Sequence, residues 1–177
     1  MYEWLSQMLE VNGYGQYEIS NWAKPNRECR HNLQYWRGLP YLAFGAGAHG
    51  YTNGYRYSNA LRIKTYIARI IQHSGLSIQP FPLSPATVNH HKQTIKDDMS
   101  EFMMTGLRLT QEGVSMQEFQ SRFETSMQDV FGKEINELLK LGLIETIKPS
   151  EGSEPSEGFR LTERGRLLGN QVFMRFV

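Results

Sequence analysis

The stretch YLAFGAGAHGYTNGY, residues 41–55, joins an apolar segment, a glycine-rich bend and a turn signal. Its first four residues are apolar, which predicts a buried strand, and the glycines that follow predict a bend at the end of that strand. Asn53-Gly54 is the strongest short-range signal of a hairpin, so residues 51–57 should fold back on themselves. We therefore expect a strand, a bend and a hairpin in this order.

Upstream of this stretch, the sequence predicts one helix and one strand. Apolar residues at steps of three and four favour an amphipathic helix that Asn12-Gly13 should end: Tyr2, Leu5 and Leu9. Residues 14–19 alternate loosely and favour a strand. Residues 20–40 contain two prolines and a glycine among polar and aromatic residues, so we expect an ordered loop there.

Downstream of the hairpin, the pattern predicts a helix and then an extended connector. Ser58-Asn59 can cap this helix and Gly75 can end it. Its apolar stripe repeats with helical spacing: Ile63, Tyr66, Ile67, Ile70 and Ile71. Residues 76–87 hold three prolines and are predicted to be extended. The connector is therefore our candidate domain boundary.

The last eighty residues have the element order of a winged-helix domain. A helix around residues 99–107 is followed by Ser115 and Glu118, which have the spacing of a capping box. A longer helix over residues 127–139 should close at Gly142. Strands at 143–147 and 159–161 flank a Ser/Glu/Gly-rich loop at 149–158, and a last helix carries Leu167, Leu168, Val172 and Phe176.

Composition restricts the class of protein. Of 177 residues, 40% are hydrophobic, which suffices for a packed core. No apolar run approaches the roughly 20 residues that cross a bilayer, and Met1-Tyr2-Glu3-Trp4 does not resemble a secretory signal. The single cysteine, Cys29, excludes an intramolecular disulfide, so we expect a reducing cytoplasm.

Charge divides unevenly along the chain. Residues 1–98 carry ten Lys/Arg against six Asp/Glu, whereas residues 99–177 carry nine against twelve. A winged-helix domain suggests nucleic acid, but binding to a phosphate backbone requires an excess of cations. The net charge of −3 on the second half therefore makes a nucleic-acid-binding module the least favoured interpretation.

Three ordered blocks resemble one known family. They are YEISNWAKP at 17–25, ECRHNLQYW at 28–36 and YLAFGAGAH at 41–49. In this order and spacing they resemble the HemW-type branch of the oxygen-independent coproporphyrinogen III oxidase-like radical S-adenosylmethionine (SAM) family. MMTGLRL at 103–109 and LTERG at 161–165 are similar to the carboxy-terminal domain of that family. The resemblance covers nearly the whole chain.

The resemblance implies a mixed fold of the α+β or α/β class. Residues 1–75 would form the end of a partial (β/α) radical SAM barrel, and residues 76–98 a proline-containing connector with the start of a helix. Residues 99–177 would form a winged-helix-like helical domain with a β-hairpin. The family holds a [4Fe–4S] cluster through a CxxxCxxC motif, which this chain lacks, since Cys29 stands alone. We expect the chain to carry no cluster and no catalytic residue, and to be inactive by itself.

The HNxxYW block, here His31, Asn32, Tyr35 and Trp36, is the heme-binding signature that the resemblance implies. A neutral imidazole is a common axial ligand of heme iron, and porphyrins pack against aromatic walls. We therefore predict heme binding by these four residues with Cys29, and iron ligation by His31, with Cys29 as the rival ligand. In the alternative interpretation, the block only ties down a loop and fills core.

The glycine-rich bend is the second candidate site. Glycine permits close approach of a ligand to the backbone, and successive N–H groups can face an anion. By resemblance, Gly45, Ala46, Gly47 and Ala48 would end a strand beside SAM; the alternative is tight packing. His49 could be a ligand, but we expect it to be a hydrogen-bonded histidine at the end of a strand. We place His90-His91 on a polar helix at the surface, since no metal-ligand spacing accompanies them.

Two family functions follow from the resemblance. The first is a heme chaperone that binds heme or porphyrin and delivers it to an acceptor protein, with SAM and the [4Fe–4S] cluster present in the full-length protein. The alternative is an oxygen-independent coproporphyrinogen III oxidase, an oxidoreductase of porphyrin biosynthesis that acts by radical decarboxylation. The HNxxYW block favours the chaperone. We expect no nucleic acid among the partners and no transmembrane segment.

Overall fold

The computed structural model describes residues 1–73, 79–147 and 157–177. Contacts between residues divide the chain into two compact units. Residues 1–38 and 98–177 form one unit, which we call the discontinuous unit, and residues 39–97 form the inserted unit. This grouping differs from the boundaries expected at 76–98, because the first 38 residues pack with the carboxy-terminal half. The assignment of residues 1–75 to a barrel end stays a prediction.

The discontinuous unit begins with a helix, a hairpin and a second helix. These are α1 (Tyr2–Val11), β1 (Gly15–Glu18), β2 (Asn21–Ala23) and α2 (Arg30–Trp36). Helix α1 ends at Asn12 as expected, with Gly13 at a φ of +79°. The expectation of a loop over residues 20–40 was wrong. Backbone pairing with β1 makes 21–23 a strand, and α2 forms between Pro25 and Gly38, which has a φ of +59°.

The inserted unit is built on a three-stranded antiparallel sheet. Its elements are β3 (His49–Thr52), β4 (Tyr55–Asn59), α3 (Ile63–His73) and β5 (Thr87–Lys92), with strand order β3-β4-β5. The predicted hairpin is confirmed, since Asn53 and Gly54 both have positive φ between β3 and β4. Gly75 lies outside the described residues.

Three expectations for the inserted unit were wrong. Residues 41–44 are not a buried strand: they pair with the rest of the sheet through a single bridge from Tyr41 to Tyr51, and Leu42 and Phe44 are 46% and 81% exposed. Ser58-Asn59 do not cap α3, since both are paired in β4. His90-His91 lie on a strand rather than a helix, because Thr87–Lys92 pairs with β4.

The chain then returns to the discontinuous unit in the predicted winged-helix order. The elements are α4 (Ile95–Gly106), β6 (Val114–Ser115), α5 (Met116–Phe123), α6 (Met127–Lys140), β7 (Ile144–Ile147) and β8 (Gly158–Leu161). Ser115 caps α5 by accepting from the backbone N–H of Glu118 at 3.1 Å, as the capping-box spacing predicts. Strand β6, which the sequence analysis missed, pairs with β8 in the order β6-β8-β7.

The predicted last helix is divided in two. Helix α7 (Glu163–Leu167) is followed by α8 (Gly169–Phe173) and a 3₁₀ turn (Met174–Phe176), with a break at Leu168, whose φ is −110°. The predicted loop at 149–158 lies largely outside the described residues. Within the described ranges, no helix is long and apolar enough to cross a membrane.

The core of the discontinuous unit lies between the three winged-helix helices, the small sheet and the terminal helices. Its largest fully buried side chains include Met103, Phe119, Ile135 and Phe176. Phe102, Phe119 and Phe123 stack edge to face, and Phe131 joins Phe119 to Phe176 in the same way. Residues 108–110, just after α4, carry the backbone bonds to the segment around β1: Ile19 donates to the Arg108 carbonyl and Thr110 to the Tyr17 carbonyl.

Candidate functional site

Helix α2 presents the first part of the HNxxYW block to solvent. Cys29 is the N-cap residue of this helix and is exposed, as is His31. One turn after His31 comes Tyr35, whose hydroxyl lies 3.0 Å from the His31 Nε2 atom. The two rings meet edge to face, with centroids 4.7 Å apart. The outer face of α2 therefore carries an imidazole and a phenol one turn apart, while the exposed thiol of Cys29 lies at the N-cap and does not share this face.

The second part of the block lies on the other side of the helix. Residues advance by about 100° each around a helix, so Trp36 is offset by about 140° from His31. Asn32 shares this inner face and donates from Nδ2 to the Tyr17 hydroxyl at 3.4 Å. The Trp36 ring lies against the guanidinium of Arg108, whose central carbon is 4.3 Å from the centroid of the ring. Trp36 consequently does not form a shared wall with His31.

Arg108 connects Trp36 to a buried carboxylate, Glu18. Glu18 is fully buried and accepts hydrogen bonds from the Ser20 backbone N–H at 2.9 Å and from the Asn21 side chain. Arg108 Nη2 also donates to it, at 3.3 Å. A buried carboxylate requires such partners, because desolvation of the charge is costly. Each of the YEISN, HNxxYW and TGLRL blocks contributes one member of this Glu18–Arg108–Trp36 cluster.

Sequence analysis quoted Glu18 and Arg108 within blocks but assigned them no role. Alternation over residues 14–19 places Glu18 with Gln16, opposite the apolar Tyr17 and Ile19, so no local pattern pointed to its burial. In the structure, Tyr17 and Glu18 are both buried, next to a register shift between Gln16 and Glu18. The partner could not be named, because Arg108 is 90 residues away in the sequence.

Trp36 also lines a cleft of about 750 Å³ in the discontinuous unit, with Phe102, Leu109 and Glu118 among its other lining residues. Arg37 and Glu112 form an ion pair at this cleft, with Arg37 Nη2 and Glu112 Oε1 2.7 Å apart. The hydrogen bonds that Arg37 donates to the Glu112 carboxylate raise the pKa of its guanidinium. Trp36 Nε1 is buried without a hydrogen-bond partner among the described residues. His31 does not line this cleft.

The exposed surface of α2 and its N-cap carries two donors of the kind that bind heme iron, His31 on the outer face and Cys29 at the start of the helix. Imidazole and thiolate are both axial ligands of heme in proteins, and an aromatic ring beside the imidazole offers a flat contact. His31, Tyr35 and Cys29 suit this chemistry, whereas Asn32 and Trp36 face inward. The Tyr35 hydroxyl engages Nε2, so an iron bound through that nitrogen would have to displace it.

The glycine-rich bend of the inserted unit is held by one buried asparagine. The Asn59 Nδ2 atom donates to the carbonyl oxygens of Ala43 and Gly45 at 3.2 and 3.1 Å, and its backbone N–H donates to the Ala48 carbonyl at 2.9 Å. Gly45 and Gly47 have φ values of +98° and +70°, which favour glycine. Asn59 was missed in the sequence, where it was interpreted as a helix cap.

Backbone N–H groups of this bend are directed at acceptors of the protein itself. The Gly45 N–H donates to the Tyr66 hydroxyl at 3.3 Å and the Gly47 N–H to the Ala60 carbonyl at 3.0 Å. The space next to Gly45 is open, because a Cβ built there meets no atom within 4 Å, and a ligand could occupy it. A Cβ on Gly47 would lie 3.0 Å from Leu61 Cδ1, so packing explains that glycine.

The other histidines are at the surface of the inserted unit. His49 is exposed on β3, paired in register with Ser58, and His90 and His91 are exposed on β5. No three His, Cys, Asp or Glu side chains are grouped as metal ligands in the part of the chain that is described.

Comparison with known proteins gives consistent similarities. Residues 93–168 match the family model of the HemN C-terminal domain. The whole chain is 38% identical to a heme chaperone HemW of Bacillus subtilis (strain 168), covering 42% of that protein, and 32% identical to one of Lactococcus lactis, covering 41%. A zebrafish (Danio rerio) protein named mitochondrial radical S-adenosyl methionine domain-containing protein 1 is 32% identical over 145 residues, 77% of this chain and 30% of that protein.

Among solved structures, the chain resembles coproporphyrinogen III oxidase (HemN) from Escherichia coli, described as a radical SAM enzyme. The TM-score is 0.67 at 15% identity, over 98% of this chain and 39% of that one. At that identity the likeness concerns the fold, and it confirms the expected mixed fold class. The chain spans about two fifths of the length of the first two relatives.

Proposed function

The chain belongs to the HemW-type, oxygen-independent coproporphyrinogen III oxidase-like family, corresponding to its carboxy-terminal part, and we propose that it is part of a heme chaperone. The intact protein would bind heme and deliver it to an acceptor protein in a reducing cytoplasm. It would also hold SAM and a [4Fe–4S] cluster, whose ligands must come from outside this chain because Cys29 is its single cysteine.

The observation that carries the proposal is the outer face of α2. An exposed imidazole with an aromatic ring against its edge supports heme ligation by His31, with Cys29 two residues away as the rival ligand. Tyr35 would contact the porphyrin from the same face. Asn32 and Trp36 would act indirectly, by fixing the inner face of α2 to Tyr17 and Arg108.

We also propose that the bend at Gly45, Ala46, Gly47 and Ala48 lies beside SAM in the intact protein. Positive φ at Gly45 and open space next to it support close approach of a ligand there. The internally used N–H groups of Gly45 and Gly47 argue against a cradle of N–H donors for an anion.

Heme binding is tested on the full-length protein that contains this chain. Heme titration followed at the Soret band should show a shifted or weakened band for His31→Ala, because loss of an axial imidazole removes a bond to iron. Cys29→Ser tests the rival ligand in the same assay. His90→Ala is the matched control, since it removes an exposed imidazole from a different element.

An unchanged Soret band and unchanged heme affinity in both His31→Ala and Cys29→Ser, with circular dichroism equal to that of the wild type, would contradict the proposed ligands. Decarboxylation of coproporphyrinogen III by the full-length protein under anaerobic reducing conditions would favour the oxidase instead. The acidic discontinuous unit, with 17 Asp/Glu against 13 Lys/Arg, gives no support to a nucleic-acid-binding function.

A further inference from the structure

The inserted unit has a net positive charge, whereas the discontinuous unit has a net negative charge. The inserted unit carries six Lys/Arg and one acid, Asp97, together with four of the five histidines of the chain. Asp97 accepts hydrogen bonds from the Thr94 backbone N–H at 2.9 Å and from its hydroxyl at 2.7 Å. These bonds lower the pKa of Asp97. The carboxylate of this one acid is therefore bound to Thr94 at the start of α4. The inserted unit therefore has the charge to attract anions.

One face of its sheet collects donors in two adjacent rows. In an antiparallel sheet, residues directly opposite one another point to the same side. The register aligns Tyr51, Arg56 and His91 in one row, and His49, Ser58 and Asn89 in the next. A cleft of about 730 Å³ is lined by five of these six residues and by Tyr41, and it extends to Tyr57, Val88 and His90, which alternate with them along the strands.

Arg56 is held in place by two tyrosines. Its Nη1 atom donates to the Tyr41 hydroxyl at 2.6 Å, and its guanidinium carbon lies 4.3 Å from the centroid of the Tyr51 ring. Tyr51 is buried and Arg56 is half-buried, so this arrangement belongs to the packed sheet. A guanidinium fixed in this way loses little conformational entropy when it binds an oxyanion.

The Arg56 side chain and the residues that hold the glycine-rich bend belong to opposite faces of the sheet, although Tyr57 also lines part of the cleft. Successive side chains of a strand point to opposite faces, so Tyr57 and Asn59 face away from Arg56 and Ser58. Tyr57 and Asn59 both contact the bend: the Ala43 N–H donates to the Tyr57 hydroxyl at 3.1 Å, and Asn59 binds the carbonyls of Ala43 and Gly45. One face of the sheet therefore supplies the side chains that hold the glycine-rich bend, and the other carries Arg56.

We propose that the cleft over Arg56 binds the phosphate group of a small phosphorylated ligand. A guanidinium, two imidazoles, a hydroxyl and a carboxamide line this cleft, and groups of these kinds match an oxyanion with three acceptor oxygens. Asn89 Nδ2 donates to Ser58 Oγ at 3.5 Å and His91 Nε2 lies 3.2 Å from Gln93 Oε1, so both side chains would exchange these partners for the ligand. The doubly charged phosphate suits a unit with five more cations than acids. This inference is independent of the proposed heme site, because it uses other residues of the other compact unit.

Isothermal titration of the 177-residue chain with inorganic pyrophosphate, at constant ionic strength, tests the site. Wild type should bind one equivalent saturably. Arg56→Gln should weaken binding at least about tenfold, since it removes charge-assisted hydrogen bonds, and His91→Asn should weaken it severalfold. Arg62→Gln is the matched control: it removes the same charge from an exposed position of the same unit outside the cleft, and should change the affinity less than twofold.

Three results would overturn the proposal. They are an absence of saturable binding, a loss in Arg62→Gln equal to that in Arg56→Gln, and equally tight binding of citrate at matched ionic strength. The second result would mean diffuse attraction to the net charge, and the third a general affinity for polyanions. Should Arg56→Gln fail to fold, His91→Asn decides, and wild-type affinity in that variant would then reject the site.

Discussion

The two faces of α2 place residues from one short sequence block in different surroundings. On the outer face, His31 and Tyr35 contact each other at the protein surface. On the inner face, Asn32 and Trp36 contact Tyr17 and Arg108, and through Arg108 the buried Glu18. The comparison teaches that residues five apart in a helix do not form one wall, whereas residues four apart do. The inner pair packs against the rest of the unit, and the outer pair lies at the surface.

The largest effect on stability is expected for Arg108→Met. It leaves the Glu18 carboxylate buried with its cation removed, and breaking a buried pair in this way costs about 3 kcal/mol. Urea denaturation monitored by circular dichroism measures the change in the free energy of unfolding. Adding Glu18→Gln to this variant should restore at least about 1 kcal/mol, because the uncompensated charge is then absent.

A control for Arg108 comes from a surface ion pair of the same unit. Arg175→Met breaks the pair with Glu137, in which both side chains are nearly half exposed, and should cost no more than about 1 kcal/mol. Equal losses in Arg108→Met and Arg175→Met would show that the Glu18–Arg108–Trp36 cluster does not hold the inner face of α2.

Trp36→Ala should have the next largest effect, a loss of about 2 kcal/mol, because a half-buried indole loses its packing. A double-mutant cycle with Arg108→Met should give a coupling energy of about 1 kcal/mol, from the cation–π contact. Additive losses in the cycle would contradict direct contact between the two side chains.

His31→Ala should change the free energy of unfolding by less than about 0.5 kcal/mol, because an exposed side chain contributes little to the core. The same denaturation experiment checks this value. A loss close to that of Trp36→Ala would remove the distinction between the two faces, and any change in heme binding could then reflect unfolding.

Tyr35→Phe should have the smallest effect. It removes the hydroxyl that engages Nε2 of His31 and keeps the ring, so stability should stay within about 0.5 kcal/mol of wild type. In the full-length protein this variant should bind heme at least as tightly as wild type, because iron no longer competes with the hydroxyl. Weaker binding, measured by Soret titration, would instead mean that the hydrogen bond orients the imidazole productively.

Local patterns in the sequence predicted much of the fold. Asn53-Gly54 set the hairpin, Ser115 with Glu118 set the start of α5, and Gly142 followed the long helix α6 as expected. Each signal acts within a few residues, so tertiary structure is not needed to interpret it.

Other features depended on pairing between distant segments. His90-His91 were predicted to lie on a polar helix, but hydrogen bonds between residues 87–92 and β4 place them on a strand. Asn59 was interpreted as a cap, although its side chain binds carbonyls 14 and 16 residues earlier. The block at 31–36 was identified from its sequence motif alone. Its four residues are divided between two faces because α2 is a helix, and no helix was predicted there.

The contact between Glu18 and Arg108 also governs when this protein can acquire its structure during synthesis. Ninety residues separate the two, so at translation rates of about 5–20 residues per second they emerge roughly 5 to 20 seconds apart. Throughout that interval, the segment containing β1 and α2 lacks the helices against which it packs. The inserted unit, whose sheet pairs only strands within residues 39–97, emerges complete before then. The unit whose synthesis starts first is thus the one that finishes folding last.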